Sequence, residues 1–203
     1  MELNLATEIL NLLRNQWGFP KAYLRGLTQR EEKQEGVDFF AQLNPKTRLF
    51  AFQFKAPRGM SEATTYRFSL NRDQHDALFA LAQVATESVF YVFPYYVTTA
   101  KLQADVPTLV TDTWLLDIRQ MPTSQVFGTT NTKIVRCEGS KAVINPEYTM
   151  HRPEDVALRA AIVRGGIGAV EFAHWYSQFQ AALPVARRSP WARRGLRIAI
   201  VLP

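Results

Sequence analysis

The segment at residues 88–96 places the strongest constraint on the fold. It reads SVFYVFPYY, a nearly continuous run of apolar and aromatic residues. A strand with one face in water alternates apolar and polar side chains, whereas a strand covered on both faces has no polar alternation. We therefore predict that this segment is the central strand of a sheet with other layers packed on both of its faces.

A helix and several short strands precede this central strand in the chain. Residues 3–17 place apolar side chains at helical spacing, and Gly18 and Pro20 end that helix. Segments with the composition of strands follow, at residues 23–27, 37–43, 48–55 and 66–70. A second helix begins at Asn71, a residue type that caps helices, and runs to about Thr86. The predicted order is helix, three strands, a short extra strand, helix and strand.

The second half of the chain contains weaker patterns. A helix is expected at 101–109, a strand at 113–118, and two short strands around a turn at 137–140. Further helices and a closing strand are expected towards the C-terminus, at residues 156–162, 170–183 and 198–202. Because no repeat, linker or boundary is visible, we predict a single α/β domain over residues 1–203.

Composition limits the classes of function. The net charge of +6 and a pI near 9.6 favour polyanionic partners such as nucleic acid. A single cysteine, Cys137, excludes an intrachain disulfide and a cysteine-rich zinc site, and the three histidines fit no zinc spacing. No segment approaches the roughly 20 apolar residues that span a bilayer, and the N-terminus has no signal-peptide pattern. We expect a cytoplasmic protein that does not enter a membrane.

Three polar residues interrupt the predicted hairpin formed by the strands at 37–43 and 48–55. Asp38 lies in the first strand, and Gln53 and Lys55 lie in the second. Because successive side chains of a strand point to opposite faces, Gln53 and Lys55 share one face while Phe52 and Phe54 occupy the other. A carboxylate, an amide and an ammonium group are therefore predicted to converge at one edge of the sheet.

This combination of residues and element order resembles the PD-(D/E)XK nuclease superfamily, which has a restriction-endonuclease-like core. The motif consists of two tripeptides separated by fourteen residues, Gly36-Val37-Asp38 and Gln53-Phe54-Lys55. The family pattern has an acidic residue in place of Gln53, but Mrr-like restriction enzymes also read glutamine-x-lysine. The resemblance covers residues 1–100 and implies a mixed sheet flanked by helices, with residues 101–203 as a C-terminal elaboration.

The resemblance implies a metal-dependent nuclease that hydrolyses phosphodiester bonds, with DNA as the expected substrate in restriction, phage defence or repair. Mg²⁺ or Mn²⁺ would be held by hard oxygen atoms, those of the Asp38 carboxylate, the Gln53 side chain and the Phe54 carbonyl. Lys55 would orient the attacking water or stabilise the transition state. Glu8 in the first helix is the family-like candidate for a further metal ligand.

Several contacts and assignments remain open from the sequence. Glu32 and Glu35 are alternatives to Glu8, and Gln74 in the second helix is a candidate contact to a substrate phosphate. The basic segment 187–197 offers arginines for phosphate and a tryptophan for stacking on bases. Its candidate nucleic-acid contacts are Arg187, Arg188, Trp191, Arg193 and Arg194. Many nucleases of this class act as dimers, so a homodimer or a protein complex is also expected.

A simpler interpretation stands beside the nuclease. The Gly-x-Asp sequence is also typical of a turn, and Gln-x-Lys is also typical of the solvated face of an amphipathic strand. In that case the chain is a catalytically inactive nuclease-fold module that binds nucleic acid or a partner protein, and segment 187–197 is a solvated loop or a surface for an acidic protein.

Overall fold

The computed structural model describes residues 2–26, 39–42, 49–62, 64–84, 89–155 and 158. The helices are α1 (Glu2–Asn15), α2 (Arg72–Val84), α3 (Thr99–Asp105) and α4 (Thr123–Phe127). Two 3-10 turns, Leu109–Asp112 and Ile118–Gln120, flank the strand that leads from one to the other. No helix in the described part of the chain is both long enough and apolar enough to cross a membrane.

The strands form two sheets. The first has the order β1-β2-β3-β6-β7 and the second the order β10-β9-β8-β5-β4. Their bounds are β1 (Tyr23–Gly26), β2 (Phe39–Gln42), β3 (Leu49–Phe54), β4 (Gly59–Glu62), β5 (Thr65–Asn71), β6 (Val89–Pro94), β7 (Thr113–Asp117), β8 (Thr132–Glu138), β9 (Lys141–Val143) and β10 (Glu147–Thr149).

The first sheet is mixed, and its interior strand β6 is the one expected from the apolar run. Neighbouring strands pair antiparallel except β3 and β6, which run parallel with Phe54 opposite Val92. Every residue of β6 is buried. The prediction of a strand covered on both faces is confirmed, and the chain is an α/β protein with a mixed sheet flanked by helices.

Different layers cover the two faces of the first sheet. Helix α1 packs on one face, where its apolar stripe contacts the aromatic side chains of β3 and β6. This core includes Leu5, Ile9, Leu12, Leu13, Phe50, Phe52, Phe54, Phe90 and Val92. Helix α2 and the second sheet pack on the other face. That core includes Ala51, Phe68, Leu70, Leu78, Leu81, Val89, Tyr91, Phe93, Val135 and Cys137.

The second sheet was not expected as a separate layer. Strand β5 was predicted as a lone extra strand, and it lies between β4 and β8 with Phe68 opposite Val135. Strand β4, which begins at Gly59, was not among the predicted strands. Both sheets combine strands from before and after residue 100, because β7 completes the first and β5 is interior to the second.

His75 in α2 is a polar residue whose side chain lies in the core. It is fully buried. The carbonyl oxygen of Met121 lies 2.8 Å from Nε2 and can only accept, so Nε2 carries the proton. Nδ1 then accepts from the hydroxyl of Tyr91 at 3.1 Å. Burial lowers the pKa of His75, with smaller opposing and reinforcing contributions from its neighbours.

The buried His75 predicts a pH-dependent stability. The pKa of His75 in the folded protein lies below its ordinary value of 6.5. As the pH falls, the histidine is therefore protonated in the unfolded chain at a higher pH than in the folded protein, which favours unfolding. We expect the free energy of unfolding to fall between about pH 7.5 and about pH 5.5, and to fall less in His75→Gln, whose amide keeps one donor and one acceptor. Urea denaturation at both pH values measures the difference.

His151→Gln is the matched control, because His151 is partly exposed and pairs with Asp155 outside the core. It is expected to keep the pH dependence of the wild type. An equal loss of stability on acidification in wild type and His75→Gln would contradict the assignment.

Candidate functional site

The candidate site lies where β3 ends beside the first turn of α2. Gln53 is in β3, Lys55 is the first residue after β3, and Gln74 projects from the first turn of the helix. Asn71 caps that helix as predicted, because its side-chain oxygen accepts a hydrogen bond from the Gln74 backbone N–H at 3.1 Å. The cap fixes the first turn and with it the position from which Gln74 reaches the strand.

Gln74 joins Gln53 to Lys55 through a directed series of hydrogen bonds. The Lys55 ammonium donates to Gln74 Oε1. Gln74 Nε2 donates to Gln53 Oε1 at 2.8 Å, and Gln53 Nε2 donates to the Phe54 carbonyl at 3.1 Å. An ammonium group has only donors, so Gln74 must turn its oxygen to Lys55 and its nitrogen to Gln53. The charge of Lys55 thus sets the orientation of both amides.

These polar groups are largely removed from water. Gln53 is 5% exposed and Lys55 is 9% exposed. The interpretation of Gln-x-Lys as a solvated strand face is therefore wrong. The prediction that both side chains share one face is confirmed, because both contact Gln74 while Phe52 and Phe54 pack with α1 on the opposite face.

Lys55 also lies over an aromatic ring of the central strand. Its Nζ is 5.2 Å from the centre of the Tyr91 ring, and the register of β3 with β6 places Gln53 opposite Tyr91. An ammonium over an aromatic face is stabilised by the ring quadrupole, more strongly when both are shielded from water. Sequence analysis gave Tyr91 no role, since it lies within an apolar run. The parallel pairing of β3 with β6, which the sequence does not reveal, is what places Tyr91 beside Gln53.

Of the other predicted metal ligands, the structure describes Glu8 but not Asp38. Asp38 lies outside the described residues. Strand β2 begins at the next residue, Phe39, which pairs with Phe52, the neighbour of Gln53. The convergence of Asp38 with Gln53 and Lys55 therefore stays a prediction. Other candidates also lie outside the described residues, namely Glu32, Glu35, Arg187, Arg188, Trp191, Arg193 and Arg194.

Glu8 has a structural partner in the described part of the chain. Its carboxylate accepts a hydrogen bond from the Val110 backbone N–H at 3.2 Å, which ties α1 to the first 3-10 turn. Partial burial raises the pKa of Glu8, and hydrogen bonds from the backbone of Val110 and Leu109 act in the opposite direction. Helix α1 packs on the sheet face opposite Gln53 and Lys55, and no contact of Glu8 with these two residues is observed among the described residues. The role of Glu8 as a metal ligand stays a prediction.

The residues at the site fit a metal ion in part. Among the described residues, no group of three or more His, Cys, Asp and Glu side chains could hold one. The oxygen donors present are neutral, those of the Gln53 amide and the Phe54 carbonyl, and each accepts a hydrogen bond. Mg²⁺ prefers at least one carboxylate. Asp38 is the first predicted source of an anionic ligand, and the glutamates at positions 8, 32 and 35 are the other candidates.

The chain was compared with family models, with curated proteins and with solved structures, and no match was found. Function is therefore inferred from the geometry of the site and from the resemblance of its motif.

Replacing Gln74 by leucine tests the hydrogen-bond series. Leucine removes the acceptor of Lys55 and the donor to Gln53 while nearly keeping the side-chain volume. We expect the free energy of unfolding to fall by about 1 to 2 kcal/mol, measured by urea denaturation. Gln83→Leu, at an exposed position of the same helix, is expected to change it by less than about 0.5 kcal/mol. Equal stabilities of the two variants would argue against a structural role of the series.

Proposed function

We propose that the chain is a metal-dependent nuclease with a restriction-endonuclease-like core, which hydrolyses phosphodiester bonds in DNA in the cytoplasm. The observation that carries the proposal is the buried gathering of Gln53 and Lys55 through Gln74 at the end of β3. A polar cluster at that place in a covered sheet is costly to bury, and it matches the position at which the resemblance places catalysis.

The topology of the first sheet supports the core assignment. Helix α1 is followed by three antiparallel neighbours, β1, β2 and β3, and then by α2 and the parallel strand β6 beside β3. This is the helix, three strands, helix, strand order of the resembling family. Strands β4 and β5 lie between β3 and α2 in the chain but pair in the second sheet, so they add a layer without changing the order within the first.

Each residue of the proposed site has a distinct role. Asp38, Gln53 Oε1 and the Phe54 carbonyl would hold Mg²⁺ or Mn²⁺, which when bound lowers the pKa of a coordinated water and offsets charge on the phosphate. Lys55 would place a cation at the phosphate being attacked, where a group shielded from water interacts more strongly than an exposed one. Gln74 keeps Lys55 and the Gln53 amide in fixed relative positions.

Removal of the predicted anionic ligand tests catalysis. With purified protein, Mg²⁺ or Mn²⁺ and several forms of DNA, we expect Asp38→Ala to lower the cleavage rate by about a hundredfold or more. Asp155→Ala, which removes an exposed carboxylate outside the site, is expected to keep wild-type cleavage. If Asp38→Ala cleaves DNA as fast as the wild type, the proposed site is not catalytic.

The neutral amide at position 53 makes a second prediction about metal affinity. Gln53→Glu adds a formal negative charge beside the metal site, so we expect Mn²⁺ to bind about tenfold more tightly, as measured by calorimetry. Gln83→Glu adds the same charge at an exposed position of α2 and is expected to leave the affinity nearly unchanged. Equal affinities of the two variants would place the metal elsewhere.

A second candidate function is an inactive nuclease-fold module that binds nucleic acid or a partner protein, alone or as a homodimer. One observation favours it: at the described part of the site both candidate metal oxygens belong to neutral groups that already accept hydrogen bonds. In this case Lys55 and Gln74 stabilise the fold, and binding to nucleic acid would depend on the basic segment 187–197.

The salt dependence of binding tests this alternative. In the absence of metal, replacing both Arg187 and Arg188 by glutamine is expected to weaken DNA binding and to reduce the slope of log affinity against log salt by about two. The control replaces Arg67 and Arg136, which are exposed and directly opposite each other in the second sheet. An affinity that does not vary with salt would eliminate nucleic acid as the ligand.

A further inference from the structure

Two buried residues lie beneath the Lys55 ammonium, and the proposed reaction does not use either of them directly. Tyr91 in β6 presents its ring to Lys55 Nζ, 5.2 Å from the ring centre. The Tyr91 hydroxyl donates to Nδ1 of His75, and Nε2 of His75 donates to the Met121 carbonyl. Both Tyr91 and His75 are fully buried. The contacts run from Lys55 through β6 and α2 to the residue after the second 3-10 turn.

The chemistry of this pair suits a fixed support. Burial raises the pKa of Tyr91 and lowers the pKa of His75, so at neutral pH the pair consists of an uncharged phenol and an uncharged imidazole. The uncharged His75 ring carries its proton on Nε2, which donates to the Met121 carbonyl. Nδ1 is therefore free of a proton and accepts a hydrogen bond from the Tyr91 hydroxyl. The neutral ring therefore keeps its quadrupole for the cation above it.

Packing restricts the movement of both rings. The His75 ring is stacked on Tyr91 with centres 5.9 Å apart and on Phe79 with centres 6.0 Å apart. Phe127 contacts the His75 ring at a tilted angle, with centres 5.2 Å apart. Phe93 packs beside Tyr91 with ring centres 5.8 Å apart. A ring hydrogen-bonded at one end and enclosed by others has little freedom to rotate.

We propose that Tyr91, held in place by His75, is a positioning residue that fixes the ammonium group of Lys55 at the end of β3. A lysine side chain has a flexible four-carbon stem, and the hydrogen bond to Gln74 acts at its ammonium end. The Tyr91 ring adds a second contact from a different strand. The catalytic consequence of this inference depends on the proposed function, but the geometry of Lys55 does not.

An ordinary core role for the pair makes a different prediction. If His75 and Tyr91 only pack the interior, their replacement lowers stability but leaves the Lys55 side chain in its place. If they position Lys55, their replacement changes the surroundings of its terminal methylene protons. An aromatic ring shifts the resonances of protons over its face. Loss of the shift in Tyr91→Leu therefore identifies the contact, and the shift in His75→Leu, which keeps the ring, separates the two roles without any measurement of activity.

The experiment compares four variants by NMR with labelled lysine, using Lys55→Met to assign the Lys55 signals. Tyr91→Leu removes the ring, and His75→Leu removes the hydrogen bond that orients it. His75→Gln keeps one donor and one acceptor. Leu81→Ala, a buried position on the same helix, is the control for lost stability, since it leaves a cavity in the same core.

Positioning predicts that the upfield shift of the Lys55 terminal methylene protons disappears in Tyr91→Leu and shrinks in His75→Leu. It also predicts that the shift largely persists in His75→Gln and is unchanged in Leu81→Ala. The rate of DNA cleavage should fall about tenfold in Tyr91→Leu, with a smaller change in KM than in kcat.

Two outcomes would overturn the inference. One is a Lys55 shift in Tyr91→Leu that equals that of the wild type. The other is an effect of His75→Leu that is no larger than that of Leu81→Ala. If the NMR result is as expected but the wild type cleaves no DNA, the positioning of Lys55 is supported and the nuclease assignment alone fails.

Discussion

A sheet covered on both faces tolerates a polar side chain only where its hydrogen-bonding groups find partners within the protein. Burying an unpartnered polar group costs of the order of 1 to 3 kcal/mol by mutational estimates, and burying an unpartnered charge costs more. The structure meets this constraint at the end of β3 with two glutamines of fixed orientation around the Lys55 ammonium. Behind them, His75 satisfies the Tyr91 hydroxyl and is itself satisfied by the Met121 carbonyl. The Lys55 ammonium sets the orientation of the two amides, and the Met121 carbonyl sets the tautomer of His75.

The parts of the fold that the sequence predicted are those governed by local patterns. The apolar run of β6, the amphipathic stripe of α1 and the cap at Asn71 each carry their signal within a few residues. The alternation of Gln53 and Lys55 with two phenylalanines likewise determined which side chains share a face. These signals did not reveal that the shared face is buried, because burial depends on α2 and the second sheet packing over it.

The parts that sequence analysis missed depend on pairing between distant segments. Strand β4, with sequence GMSE, has no apolar alternation, and it is extended because β5 supplies hydrogen bonds beside it. His75 is a polar residue in a helix turn, and nothing in that turn indicates that Tyr91 and Met121 lie within hydrogen-bonding distance. The role of Tyr91 is hidden for the opposite reason: its neighbours are all apolar, so its hydroxyl gives no periodic signal.

Position 53 determines how the site is understood. A glutamate there would place a negative charge near the Lys55 ammonium in a region shielded from water. The glutamine instead leaves a neutral amide, which is linked to the Lys55 ammonium through Gln74. In the proposed nuclease, a neutral amide at this position would hold a metal ion less strongly than a carboxylate, while the Lys55 ammonium would still attract the phosphate. In that proposal more of the electrostatic stabilisation would come from Lys55 and less from the metal, which is why the position of this side chain matters to the site.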